Sequence, residues 1–194
     1  ASMLAEARIS KAEGVIRGVV LLNKNSVNGA AGGGREYSEH AMQQLAEKAE
    51  GLPAYANHAD KTEAFKPRDI RAAIGVHKNV RFDSSKQRVT SDLHVAEHQR
   101  DWVFSLAENM PNVIGLSPVA RGLVRMRGNT EIVEELAAVR SGDLVSDPAT
   151  TKGLFEHREE WRSANPTGGI NMVIKLDDIL TALREDKALT AAIR

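Results

Sequence analysis

The chain of 194 residues contains no cysteine. That excludes a disulfide framework, a thiol nucleophile and every cysteine-ligated zinc or iron–sulfur centre, and it suits a reducing compartment. Neither sign of charge is in excess: 26 Lys and Arg face 26 Asp and Glu. The balance holds along the chain, with 20 basic and 19 acidic side chains in residues 1–155, so no charged tail hides in the total. The field that drives nonspecific nucleic-acid binding is therefore missing. No apolar run approaches the ~20 residues of a membrane-spanning helix. The opening residues Ala1–Arg8 lack the pattern of a secretory signal. What is left is a soluble domain, with room for a short appendage, whose chemistry rests on Ser, His, Asp, Glu or Lys.

Residues 8–22 are rich in Ile, Val and Leu, punctuated by Gly14 and Gly18, and read as strands. Residues 23–36 read as a loop. Its run of glycines is not a phosphate cradle of the P-loop type, because Gly34 is followed by Arg35-Glu36 and not by Lys-Ser/Thr. Ser38 is placed to cap a helix over 39–50 that Gly51 ends. A short extended run, 52–56, leads into Asn57-His58, and the polar stretch 59–69 with Pro67 reads as loop. Residues 73–82 and 88–96 flank Asp83-Ser84-Ser85-Lys86 as a hairpin. A helix is expected over 97–109. A strand over 113–126, interrupted near Ser117-Pro118, a turn at 127–130, and strands over 131–139 and 141–146 should follow. Asp147-Pro148 stops the run, and a short turn or helix is expected over 149–157. Residues 161–169 read as a linker. Leu176, Ile179, Leu180 and Leu183 then mark an amphipathic helix, which either packs on the body or docks a partner. Many short strands with a helix early and another midway indicate an α+β domain, mainly an antiparallel barrel-like sheet with peripheral helices.

Four constellations have chemical potential. His94-Val95-Ala96-Glu97-His98 has the H-x-x-E-H spacing of an inverted zinc-peptidase motif, which requires one continuous helix. The alternation of Val89, Ser91, Leu93 and Val95 indicates a strand there instead. His58 ends an apolar run just before a polar loop, a place where catalytic groups often sit, although an exposed loop histidine is the commoner outcome. Ser117, in Ile114-Gly115-Leu116-Ser117-Pro118-Val119, is a serine presented from a strand. It is not a G-x-S-x-G elbow, and an edge strand with a bulge is the plainer explanation. Last, the strand Val139–Ser146 puts Ser141 and Asp143 on one face. It runs into Asp147-Pro148-Ala149-Thr150, a small-residue turn able to aim backbone N–H groups at a ligand.

In that order, Asn57-His58, the hairpin with Ile74-Gly75-Val76, Gly115-Leu116-Ser117 and Asp143-Leu144-Val145-Ser146-Asp147-Pro148-Ala149, the chain resembles the prohead (capsid-maturation) serine proteases of tailed bacteriophages. These share a fold with the herpesvirus assemblins. The resemblance covers about residues 8–155, with Ser117 standing 59 positions after His58 (117 − 58). It implies a barrel of about seven antiparallel strands wrapped by helices, a protease domain over 1–160, and a linker and helix over 161–194 that begin a scaffold-like or self-cleaved extension. It also implies an endopeptidase that trims scaffold and major capsid proteins, and itself, inside the immature shell in the host bacterial cytoplasm. Ser117 would be the nucleophile and His58 its general base. The family's third residue aligns directly with Ser141, but Asp143, brought into place by a bulge at Gly142, is the better partner for an imidazole. The oxyanion donors would be the N–H groups of Ala149–Thr151. No cofactor, no metal, no nucleic acid and no membrane are called for, and the assemblin likeness allows a homo-oligomer. Two alternatives stand beside this one. The first is a non-catalytic capsid assembly or scaffold-anchoring protein. The second is a zinc peptidase using His94, Glu97 and His98.

Overall fold

The computed structural model describes residues 8–27, 34–60, 62–146 and 148–155. These all fall in one compact unit, 1–157, and the expected linker at 161–169 and helix at 175–194 lie outside the described residues. Among the described residues the architecture is α+β: nine mostly antiparallel strands in two sheets, with two α-helices. None of the helices described is long and apolar enough to cross a membrane.

The first sheet has the order β1-β2-β7-β6-β5. Its strands are β1 (Ile9–Ser10), β2 (Val15–Asn23), β5 (Pro53–Tyr55), β6 (Ala73–Asp83) and β7 (Arg88–Val95). The hairpin of β6 and β7 forms where the alternation and the Asp83–Lys86 turn predict it, and the turn is closed by Asp83 Oδ1 accepting from Lys86 N at 3.1 Å. The second sheet has the order β3-β4-β9-β8 and comprises β3 (Asn25–Ser26), β4 (Arg35–Tyr37), β8 (Ile114–Arg127) and β9 (Thr130–Ser146). All pairings are antiparallel except β4 with β9.

Helix α1 (Glu39–Ala49) starts where Ser38 predicts, with Ser38 Oγ accepting from Ala41 N at 3.0 Å. The same hydroxyl donates to Glu134 O at 2.9 Å and so ties the helix start to β9. Its apolar stripe, Ala41, Met42, Leu45 and Ala49, is buried against both sheets. Burial of a side chain the size of Leu45 or Met42 is worth about 1.5–3 kcal/mol. Over 97–109 a 3-10 turn (Glu97–Gln99) precedes α2 (Arg100–Asn109), whose Val103, Phe104 and Ala107 complete the core.

Several expectations are corrected. A closed seven-stranded barrel is not found: the described strands make two sheets that meet at one isolated bridge, Ala56 to Leu144. β4 covers only Glu131–Val133 of β9, which leaves the far half of β9 open to the chain leaving β5. The contact stays short because Asn57, at φ 60°, turns the chain out of extended geometry immediately after Ala56. Pro118 does not interrupt β8. This is an edge strand, and its missing N–H can face away from the ladder. The strands expected over 131–139 and 141–146 are one, because Arg140 is absorbed as a bulge between Val139 and Ser141. Finally, the expected loop over 23–36 contains strand β3 (Asn25–Ser26) and the first two residues of β4, Arg35 and Glu36.

Candidate active site

Ser117 is the fourth residue of β8, towards the open end of the β8–β9 ladder and directly opposite Asp143. Val119 is opposite Ser141. Residues facing each other across an antiparallel pair put their side chains on the same face, so Ser117 and Asp143 are immediate neighbours. No bulge at Gly142 is needed, contrary to expectation. The register is unbroken from Ile114↔Ser146 to Val119↔Ser141, and it shifts only beyond that point.

His58 arrives from the other sheet. Asn57 N donates to Leu144 O at 2.8 Å, pinning the positive-φ turn onto β9. The imidazole that follows sits over Asp143, with Nδ1 donating to Asp143 Oδ2 at 2.8 Å. A carboxylate can only accept, so this bond places a ring proton on Nδ1, and in the neutral ring the lone pair is then on Nε2. The His58 side chain is 39% exposed and Asp143 is fully buried. The bond is thus anchored in the fold at one end and open to ligand at the other. Ser141 is also buried, but its Oγ has no partner among the described residues, and it is Asp143 that holds the histidine.

His58 and Ser117 line the same cavity, of about 640 Å³, together with Tyr37, Phe65, Arg121 and Thr150. Ser117 Oγ makes no hydrogen bond among the described residues and is presented to this space. Ala149 and Thr150 form another part of the wall. Their carbonyls are held away by Val27 N, at 3.1 Å from Ala149 O, and by Asn23 Nδ2, at 2.8 Å from Thr150 O. Gly115 brings this segment close to the serine: a Cβ there would lie 2.5 Å from Pro148 Cγ and 2.7 Å from Thr151 Oγ1. Asp147 lies outside the described residues. Facing these groups, Arg35 pairs with Glu131 at 2.6 Å, and burial pushes the Tyr37 phenol above its ordinary value against the opposing pull of Arg35.

Two contributors carry no legible motif. Arg68 follows Pro67 in a stretch that reads only as polar loop, yet its Nη1 donates to Asp143 Oδ2 at 3.0 Å. His77, fully buried on β6, bridges Ser91 Oγ at 2.9 Å and Gly142 O at 2.8 Å. The Gly142 carbonyl can only accept, so the proton is on Nε2, and Nδ1 accepts from the Ser91 hydroxyl. Burial lowers its pKa, with the bond to the Gly142 carbonyl acting in the opposite direction.

The zinc motif does not assemble. His94 is on β7, while Glu97 and His98 are on the 3-10 turn, so the helix that would align them is missing. Among the described residues no group of three metal-capable side chains occurs.

No family model, no curated protein and no solved structure matches the chain.

Proposed function

We propose that this chain is a serine endopeptidase in which Ser117 is the nucleophile, His58 the general base and Asp143 the residue that orients it. The observation that carries the proposal is the 2.8 Å bond from His58 Nδ1 to Asp143, with Ser117 across the ladder from that carboxylate and on the same cavity as the histidine. His58 Nε2 takes the proton as Ser117 Oγ attacks a peptide carbonyl carbon, and a tetrahedral oxyanion forms. The imidazolium then gives its proton to the amine as the C–N bond breaks, and water releases the acyl group by the same steps. The N–H groups of Ala149, Thr150 and Thr151 have no acceptor among the described residues and are the candidate oxyanion donors. One such donor is worth about 3 kcal/mol of barrier.

Within that class we place the chain with the prohead-maturation proteases of tailed phages, whose motif order it resembles. On this proposal it cleaves scaffold and major capsid protein inside the immature shell, and residues 161–194 begin a scaffold-like or self-cleaved extension. An assemblin-like arrangement of the two sheets belongs to the same proposal. It is supported by the Ala56–Leu144 bridge and by the bond from Val20 N to Leu154 O, at 3.0 Å, which brings the segment after β9 back to β2.

The test is a comparison of the wild type with Ser117→Ala. A fluorophosphonate probe should add its mass to a peptide containing Ser117 in the wild type and leave the variant unmodified. Cleavage of a co-expressed scaffold protein should cease in the variant while the circular dichroism spectrum is unchanged. Continued cleavage by Ser117→Ala would overturn the proposal.

A further inference from the structure

Arg68 is held in a way that its place on a polar loop does not require. Its side chain is 9% exposed. Nη1 donates to Asp143 Oδ2 at 3.0 Å, Nη2 donates to Asn57 O at 2.8 Å, and the guanidinium lies 4.2 Å from the centre of the Tyr55 ring. Asp143 Oδ2 therefore accepts from two donors, His58 and Arg68, while Oδ1 is buried with no partner among the described residues. A carboxylate needed only to hold a histidine would not require a buried cation on the same oxygen.

We propose that Arg68 is a positioning residue of this site, holding His58 uncharged and in the tautomer that can receive the Ser117 proton. The proposal rests on the protease reading above. In a plain His–Asp pair the carboxylate favours the imidazolium. Here Arg68 already neutralises that carboxylate, and protonating His58 adds a second cation to a balanced ion pair. The fork also grips the Asn57 carbonyl and fixes the turn from which His58 projects. The other titratable groups around the site are engaged elsewhere. His77 bonds Gly142 and Ser91 behind β9, and Tyr55 lies under the guanidinium. Lys66 pairs with Glu63, Arg35 pairs with Glu131, and Arg121 stacks on Phe65. Among the described residues of this loop, Arg68 is the cation bonded to the Asp143 carboxylate.

The test reads the His58 ring directly, by NMR titration of the histidine Cε1–H signals in the Ser117→Ala background, with H58Q identifying the resonance. Replacing Arg68 by Gln keeps donors for Asp143 and Asn57 but removes the charge. In R68Q the pH at which His58 titrates should rise by about one unit, the lower end of what one nearby charge does. R68K should stay close to the parent. An unchanged or lowered midpoint in R68Q, or a rise of the same size in R68K, overturns the proposal. So does failure of both R68Q and R68M to fold, since Arg68 would then be a requirement of the fold. The measurement needs no turnover. A rise in R68Q, together with absence of cleavage by the protein with Ser117 intact, would therefore sink the protease reading and leave the electrostatic role of Arg68 standing.

Discussion

A Cβ on Gly142 would lie 2.6 Å from His77 Nε2 and 2.7 Å from Leu21 Cδ1. The missing side chain lets a buried histidine reach the Gly142 carbonyl, and Asp143 comes next in the chain. Gly142→Ala should therefore overpack the interface, at about 1–3 kcal/mol, seen as a lower urea midpoint with an unchanged slope. Wild-type stability in this variant would show that the His77 contact is soft. At this scale the candidate site was largely legible: the motif order singles out His58, Ser117 and Asp143, and the structure brings them to one place. Asp143, and not Ser141, bonds His58, and direct register sets it opposite Ser117 with no bulge at Gly142. Arg68 and His77 have no signature in the sequence, for a physical reason. Each acts through a contact 75 or 65 residues away in the chain, and neither leaves a local pattern.

β8 and β9 form a long hairpin whose inner half bears Ser117 and Asp143, and whose end leads into Pro148–Thr151. Gly115 is where this segment touches the hairpin. Gly115→Ala would push Pro148 and Thr151 away from the serine while leaving the core residues in place. If the N–H groups of this segment stabilise the oxyanion, kcat should fall about 10²–10³-fold with little change in KM. Undiminished kcat would remove the segment from the mechanism. Helix α1 gives a stability test at the same scale. Ser38→Ala removes both the cap on Ala41 N and the bond to Glu134 O, and should cost about 1–2 kcal/mol in urea unfolding. Elements with a strong local signal, such as the capped helix and the β6–β7 hairpin, were readable. The three-residue β4 was not, because its partner is Glu131–Val133, far along the chain, and no period can show in three residues.

For the molecule as a whole, the site lies where the two sheets meet. His58 follows β5 of one sheet, and Ser117 and Asp143 belong to the other. The sheets are held together there by the Ala56–Leu144 bridge, by Asn57 N to Leu144 O, and by the fully buried His77 reaching from β6 to the Gly142 carbonyl of β9. His77 makes that junction depend on pH. Burial lowers its pKa below the ordinary histidine value, so between the two values the unfolded chain binds a proton that the native protein does not. Its contribution is therefore complete above the unfolded value of about 6.5 and is lost as pH falls below it, with a slope of up to about 1.4 kcal/mol per pH unit. Urea unfolding at pH 7.5, 6.5 and 5.5 tests this against His77→Gln. The variant should be less stable at pH 7.5, because the amide cannot reproduce both bonds of the ring. It should also lose stability less steeply between pH 6.5 and 5.5, because the titrating group is gone. Parallel slopes in the two proteins would mean that His77 takes up its proton without disturbing the junction.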